Sequence, residues 1–145
     1  MENSNEKQFT FFRFEDLRVY HKALTYAIWV SDASKLNPDT NSELMNRFNI
    51  SAQNIALNIA EGSARNKSQF IYYLKMAKSA VRECLVYTSI SLNLGMITDD
   101  LDTESRNQLM EMTKMVGALI SSLQRSVTKE DETDDYNEKV NANSY

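Results

Sequence analysis

The chain has 145 residues, a net charge of −4, and only one Pro, three Gly, one Cys and one His. That length suits a single domain, and so few turn-forming residues argue against a β-sandwich or a doubly wound α/β fold. One Cys and one His also exclude an intrachain disulfide framework and a Cys/His zinc set, so we expect no metal site and no cofactor.

The N-terminal segment is polar and gives no sign of a signal peptide. No apolar run of about 18 residues occurs in the sequence, which argues against a transmembrane span. We therefore expect a cytoplasmic protein that does not contact membranes. Residues 1–12 contain three Phe but no apolar periodicity, which predicts a flexible arm that docks only locally.

Two helices are predicted in the first half of the chain. Apolar residues at helical spacing indicate a helix over about residues 14–36, which ends at Asn37 because Pro38 disfavours helical geometry in the residue before it. The segment from Thr40 to Glu43 has the pattern of a capping box. A second helix follows it and is expected to end near Ala60.

The second half of the chain predicts two longer helices. Asn66 is a candidate N-cap for a third helix over about residues 67–94, and Gly95 suits the position just beyond its end. Thr98 precedes acidic residues that favour the N-terminus of a fourth helix. Residues 129–145 carry six acids and two bases, a composition that predicts a disordered acidic tail.

Four helices joined by short loops predict an all-α fold. The arrangement we expect is an antiparallel up-down-up-down four-helix bundle that occupies residues 13–128. No segment has the alternating pattern of a β-strand, and no internal repeat is present.

The third helix has more apolar residues than one core face needs. A second stripe at helical spacing comprises Tyr72, Met76, Tyr87, Ile90 and Leu94. Tyr and Met are enriched at subunit interfaces, so this stripe predicts a homo-oligomer. The alternative is that the stripe widens the core or packs beneath the N-terminal Phe cluster.

A basic segment of the chain lies in the same region. Five cations occur between residues 61 and 83, where only two acids are present, and they are Arg65, Lys67, Lys75, Lys78 and Arg82. Such a stripe can contact phosphates or an acidic partner. The alternative is an ordinary solvated helix face. If the stripe binds phosphates, the acidic tail is expected to compete for it.

No constellation typical of an enzyme is present. The sequence has no glycine-rich phosphate loop and no Glu-x-x-His pair. Cys84 occupies a core-type helical position, which favours a buried structural thiol over a nucleophile. Glu61 and Glu83 without a His make a poor metal site. We therefore expect no catalytic residues and a protein that is not an enzyme.

Three segments together resemble a known family. They are Phe14-Glu-Asp-Leu17 with Val19-Tyr20-His-Lys-Ala23, then Asn58-Ile-Ala-Glu-Gly62, and the pattern from Ala77 to Glu83. Residues 14–123 thereby resemble the bacterial four helix bundle protein family. That family includes proteins encoded in intervening sequences of 23S ribosomal RNA genes and the accessory variability determinant of diversity-generating retroelements.

The resemblance implies a ring-shaped homopentamer, and for the retroelement members it implies binding of nucleic acid or reverse transcriptase. The family often has two basic residues and a Pro in the second helix, where this chain has Asn49, Ile50 and Ala56.

The family's signature residues also have a structural interpretation. We expect Asn58 to bond nearby backbone and Gly62 to take a positive φ. Glu61 or Glu83 would accept hydrogen bonds from a neighbouring helix or from an Arg.

Together these patterns favour a non-enzymatic homo-oligomeric adaptor. It would weakly bind RNA, DNA or a nucleic-acid enzyme such as a reverse transcriptase through residues 65–82. The alternative is a structural protein-interaction oligomer with no affinity for nucleic acid.

Overall fold

The computed structural model describes residues 11–36 and 42–142, and these are helical apart from short connections. The elements are a 3-10 helix Arg13–Asp16 and four α-helices, α1 Arg18–Ser34, α2 Ser42–Ser63, α3 Lys67–Asn93 and α4 Asp99–Ala142. No strand occurs within the described ranges. The predicted all-α fold with four helices is therefore confirmed.

The helices pack around one apolar core. Each α-helix contacts the next one along the chain and α1 contacts α4, so α1 and α3 lie diagonally opposite each other. Each helix contributes to the core, with Tyr26 from α1, Ile55 and Ile59 from α2, Leu74 from α3 and Met112 from α4 among its fully buried side chains.

Contacts between neighbouring helices progress in opposite directions along the two helices of each pair. Across α2 and α3, Ser51 bonds Glu83 and the ring of Phe48 stacks on Tyr87. Across α3 and α4, Lys67 bonds Ser126 and Thr88 bonds Ser105. Across α1 and α4, Lys22 pairs with Glu111 and Trp29 bonds Glu104. Such progressions are those of antiparallel neighbours.

Several predicted boundaries agree with the structure. The Asn66 side chain accepts a hydrogen bond from the Gln69 amide at 2.9 Å, and Gly95 has φ 71° just after α3. The Thr98 hydroxyl accepts from the Leu101 amide at 3.2 Å at the start of α4. The predicted first helix differs, because extended backbone at Leu17 separates the 3-10 helix from α1. The predicted cap at Thr40 and residues 1–10 of the predicted arm lie outside the described residues.

The C-terminal segment differs most from the prediction. Residues 129–142, predicted to be disordered, continue α4 as helix to Ala142. An acidic composition does not end a helix that is already formed, since each further residue adds one hydrogen bond and no Gly or Pro interrupts the segment. The described side chains of this segment are exposed, so it adds little to the core. No described helix is long and apolar enough to cross a membrane.

Gly62 allows α2 and α3 to approach closely near the start of α3. A Cβ atom placed on Gly62 would lie 2.6 Å from the Tyr73 Cβ and 2.8 Å from the Phe70 ring. The positive φ predicted for Gly62 is wrong, because among the described glycines only Gly95 has one, and α2 continues past Gly62 to Ser63. Glycine is needed at this position because the neighbouring helix leaves no room for a side chain, and not because the chain turns there.

A chain of hydroxyl groups crosses the core. The Tyr26 hydroxyl and the Ser105 hydroxyl lie 2.8 Å apart, and the Ser105 and Thr88 hydroxyls lie at the same distance. Thr88 also donates to the Cys84 carbonyl at 2.7 Å. Burial raises the pKa of the Tyr26 phenol and raises the pKa of the Cys84 thiol to about 12. Cys84 is therefore a protonated core residue, as the sequence indicated.

We expect opposite effects from Ala at the two helical glycines. Gly62→Ala places a methyl group against Tyr73 and should lower the free energy of unfolding by about 1–3 kcal/mol. Gly117→Ala meets nothing within 4 Å and should raise it by about 0.5–1 kcal/mol. Urea unfolding at fixed protein concentration, followed by circular dichroism and Trp29 fluorescence, measures both. Equal changes in the free energy of unfolding for Gly62→Ala and Gly117→Ala would contradict the close approach of α2 and α3 at Gly62.

The free energy of unfolding should fall as the pH rises from about 9 towards 12. The Cys84 thiol has a pKa raised from 9.0 to about 12 in the folded chain, so above pH 9 the unfolded state loses this proton first. The buried Tyr26 phenol acts in the same direction. Cys84→Ser removes one titrating group, and urea unfolding at several pH values should show a slope shallower by up to about 1.4 kcal/mol per pH unit. Identical slopes would show that the thiol ionises normally.

Candidate functional site

The candidate site is the surface of α3 that faces away from the core. The buried face comprises Phe70, Leu74, Ala77, Ala80, Val81, Cys84, Thr88 and Ser91. Helical periodicity places the predicted basic and apolar stripes on the remaining faces. The core thus fixes the orientation of the whole helix and leaves both stripes at the surface.

Arg65, the first residue of the predicted basic stripe, is held within the chain. Its Nε and Nη2 atoms donate to the Glu61 carboxylate at 3.1 and 2.5 Å, and its guanidinium lies 5.5 Å from the Tyr73 ring centroid. The hydrogen bond to Glu61 is the largest cause of a raised Arg65 pKa. Because the carboxylate offsets its charge, Arg65 is a weak candidate for phosphate contact.

Lys67 is also paired within the chain. Its Nζ donates to the Ser126 hydroxyl at 2.8 Å and forms an ion pair with Glu130. Glu130 belongs to the acidic segment of α4 beyond Thr128. The predicted competition between this segment and the basic stripe therefore has one counterpart in the structure, at the N-terminus of α3.

Lys75, Lys78 and Arg82 are the remaining cations of the stripe. Lys75 and Arg82 are exposed and Lys78 is half-buried. Arg82 donates to the Ser79 hydroxyl at 3.3 Å, and none of the three forms an ion pair with another described residue. In the part of the chain that the structure describes, these three charges of the predicted stripe thus have no counter-charge within ion-pair distance.

The predicted apolar stripe is largely at the surface. Tyr72 is 59% exposed and Leu94 is 61% exposed, and Met76 and Ile90 are also exposed. Tyr87 differs, because its ring stacks on Phe48 with centroids 5.7 Å apart and packs against the core.

Sequence reasoning missed further apolar residues beside this stripe. Ile50 and Leu57 on α2 are exposed, Leu57 to 61%, and Val86 on α3 is exposed as well. Ile50 and Leu57 lie seven residues apart on one helical face, opposite the buried positions of α2. The seven-residue spacing of Ile50 and Leu57 is the feature of the sequence from which this exposed apolar face could be predicted.

The signature residues form local contacts. Asn58 donates to the Asn54 carbonyl at 2.8 Å, as expected for a residue that bonds nearby backbone. Glu83 accepts a hydrogen bond from the buried Ser51 hydroxyl at 2.9 Å and so joins α3 to α2. With Glu61 on Arg65 and Gly62 against Tyr73, these residues hold the junction and interface of α2 and α3.

The described residues contain no cluster of three or more His, Cys, Asp or Glu side chains that could hold a metal ion. One open apolar groove runs along the C-terminal part of α3, and its lining residues are Leu85, Val86, Ser89, Ile90, Asn93, Leu94 and Arg106. The groove brings together apolar surface rather than groups suited to acid–base or nucleophilic chemistry.

Comparisons with known proteins agree with this architecture. A family model described as 23S rRNA-intervening sequence protein matches residues 15–118. A solved structure of a protein of unknown function from the S23 ribosomal protein family, from Bacteroides thetaiotaomicron, is similar with a TM-score of 0.67. The two are 20% identical, and the match covers 71% of this chain and 95% of that one, which is a likeness of fold. No curated protein matches the chain.

Proposed function

Because the chain belongs to the 23S rRNA-intervening sequence protein family, we propose that it is a cytoplasmic, non-enzymatic homo-oligomeric adaptor that binds nucleic acid weakly through α3. One observation carries this proposal. The outer surface of α3 presents Lys75, Lys78 and Arg82 without counter-charges, next to exposed apolar side chains that the core does not use.

The cations favour a ligand with repeated negative charge. Lys75 and Arg82 are separated by seven residues, or about 10 Å along the helix, so the three side chains follow one line. Phosphates of one nucleic-acid strand follow each other at a few Å, and neutralising them releases condensed counterions. Binding of this kind is independent of sequence and weakens steeply with salt. Structured RNA presents closely spaced phosphates of this kind and is the first ligand to test.

The apolar side chains favour self-association. Tyr72, Met76, Ile90 and Leu94 are exposed on α3, and Leu57 is exposed on the neighbouring α2. Exposed apolar surface marks interaction sites, and Tyr and Met are enriched in them. The family resemblance implies a pentamer, in which several weak phosphate-binding sites would act together.

Two other partners fit parts of this surface. A nucleic-acid enzyme such as a reverse transcriptase could use the same cations if its docking surface is acidic. The exposed apolar side chains alone would suit a structural protein-interaction oligomer with no affinity for nucleic acid. Binding measurements with nucleic acid alone separate these alternatives from the proposal.

We expect the protein to be a homo-oligomer in solution, with a pentamer at five times the 16.7 kDa chain mass. Ile90→Glu combined with Leu94→Glu should dissociate the oligomer and so lower the measured mass, because the interface would have to bury two carboxylates. Circular dichroism should show unchanged helicity. Thr25→Glu is a control that adds charge at an exposed polar position of α1, diagonally opposite α3. Light scattering coupled to gel filtration measures the mass. A wild-type monomer at tens of micromolar would contradict the oligomer.

Nucleic-acid binding should depend on the cations that lack counter-charges. Lys75→Glu combined with Lys78→Glu should weaken binding of a labelled structured RNA more than tenfold, because it removes two phosphate contacts and adds repulsion. The matched control, Arg18→Glu with Lys35→Glu, makes the same charge change on the diagonally opposite α1 side and should alter affinity less than twofold. Fluorescence anisotropy at low and physiological salt measures both.

Removal of residues 129–145 tests the acidic segment in the same assay. It deletes six acids, including Glu130, and should tighten binding. If the truncated chain binds neither structured RNA nor duplex DNA at low salt, the adaptor proposal loses to the protein-interaction oligomer.

A further inference from the structure

Positive charge on this protein is concentrated on the side of the bundle formed by α3 and α4. Residues 67–82 contain four bases and no acid, and residues 105–129 contain four bases and one acid, Glu111. Two of these bases are paired with acids outside the two ranges, Lys67 with Glu130 and Arg106 with Asp102. Glu111 forms an ion pair with Lys22 of α1 at 3.1 Å, which offsets its charge. The α3–α4 side is thus basic in a chain whose net charge is −4.

Two contacts fix the register of α3 and α4 on this side. Lys67 bonds Ser126 at one end, and Arg106 bonds the Ser89 hydroxyl at 2.9 Å at the other. Between these ends, Lys78 of α3 and Lys114 of α4 lie at nearly the same level. The α4 cations between residues 106 and 126 therefore run alongside the cations of α3.

Lys114 and Arg125 form this second row. Both are exposed, and neither forms an ion pair with another described residue. They are eleven residues apart, which is almost three full turns, and lie on the side of α4 opposite its buried Met112 and Val116. Gly117, Ala118 and Ser121 between them have short side chains, so the surface between the two cations is open to a bulky ligand.

We infer that Lys114 and Arg125 act with Lys75, Lys78 and Arg82 as a two-row phosphate-binding surface for double-stranded nucleic acid. The inference rests on the proposed function and assigns it a ligand class. The axes of packed helices lie about 8–10 Å apart, and the cations of both rows point away from the core, so the two rows are at least that far apart. The grooves of B-DNA, which separate the phosphates of its two strands, are about 6 and 12 Å wide. A duplex engages both rows at once, whereas a single strand follows only one.

The salt dependence of binding tests the second row directly. Each lost phosphate contact should reduce the slope of log affinity against log salt by about 0.9. Lys114→Ala combined with Arg125→Ala should therefore lower the slope for a duplex by nearly two and weaken binding several-fold at physiological salt. Arg18→Ala combined with Lys35→Ala, which removes the same charge from the α1 side, should leave the slope unchanged.

The ligands in this experiment are an RNA hairpin, a DNA duplex of matching length, the corresponding single strands, and polyglutamate. The inference expects both duplexes to bind more tightly than either single strand, and the gap to shrink in the Lys114→Ala, Arg125→Ala variant. Tighter binding of the RNA hairpin or of the DNA duplex shows which kind of duplex the surface prefers.

Several results would overturn the inference. If Lys75→Glu with Lys78→Glu abolishes binding but Lys114→Ala with Arg125→Ala changes nothing, the second row is wrong and the proposed function stands. If single strands bind as tightly as the duplexes or more tightly, the assignment of double-stranded nucleic acid as the ligand is refuted. Polyglutamate that binds as tightly as the duplex would indicate an acidic protein partner instead. If no nucleic acid binds at any salt, the inference fails together with the proposed function.

Discussion

The close approach of α2 and α3 at Gly62 is the constraint on which the rest of the structure depends. Because a methyl group there would collide with Tyr73 and Phe70, the absence of a side chain sets the distance between the two helices where the chain reverses. The Ser51 bond to Glu83 then holds the same pair of helices farther along. Once α3 is fixed in this way, its buried face fills the core and its other faces have a defined direction.

The exposed part of α3 divides into two surfaces of different chemistry. Helical periodicity places Tyr72, Met76 and Leu94 on the side of α3 that contacts α2. It places Lys78 on the side that contacts α4. Self-association through the first surface would leave the second free for a charged ligand. The acidic end of α4 limits this basic side, because Glu130 already neutralises Lys67 where the bundle ends. One rigid helix can thus serve two kinds of partner.

The sequence predicted the elements that depend on local chemistry. The Asn66 cap, the positive φ at Gly95 and the buried Cys84 follow from residue type and helical period. Features that depend on packing were not predictable from one chain. The pairing of Glu61 with Arg65 does follow from their spacing of four residues. Neither the tight fit at Gly62 nor the ion pair of Lys67 with Glu130 can be derived from spacing, and the row at Lys114 and Arg125 emerges only when α4 is placed beside α3. The helix beyond residue 128 does not follow from its acidic composition, because it depends on continuing a helix that is already formed.

Lysine footprinting of the wild-type protein tests most directly the claim that nucleic acid lies on the α3–α4 side. Acetylation of exposed lysines, quantified by mass spectrometry with and without a saturating RNA hairpin, reports protection at each residue. Lys75, Lys78 and Lys114 should be protected several-fold, while Lys22 and Lys35 on the α1 side should react as in the free protein. Equal protection of the α1 lysines, or protection confined to them, would contradict the account.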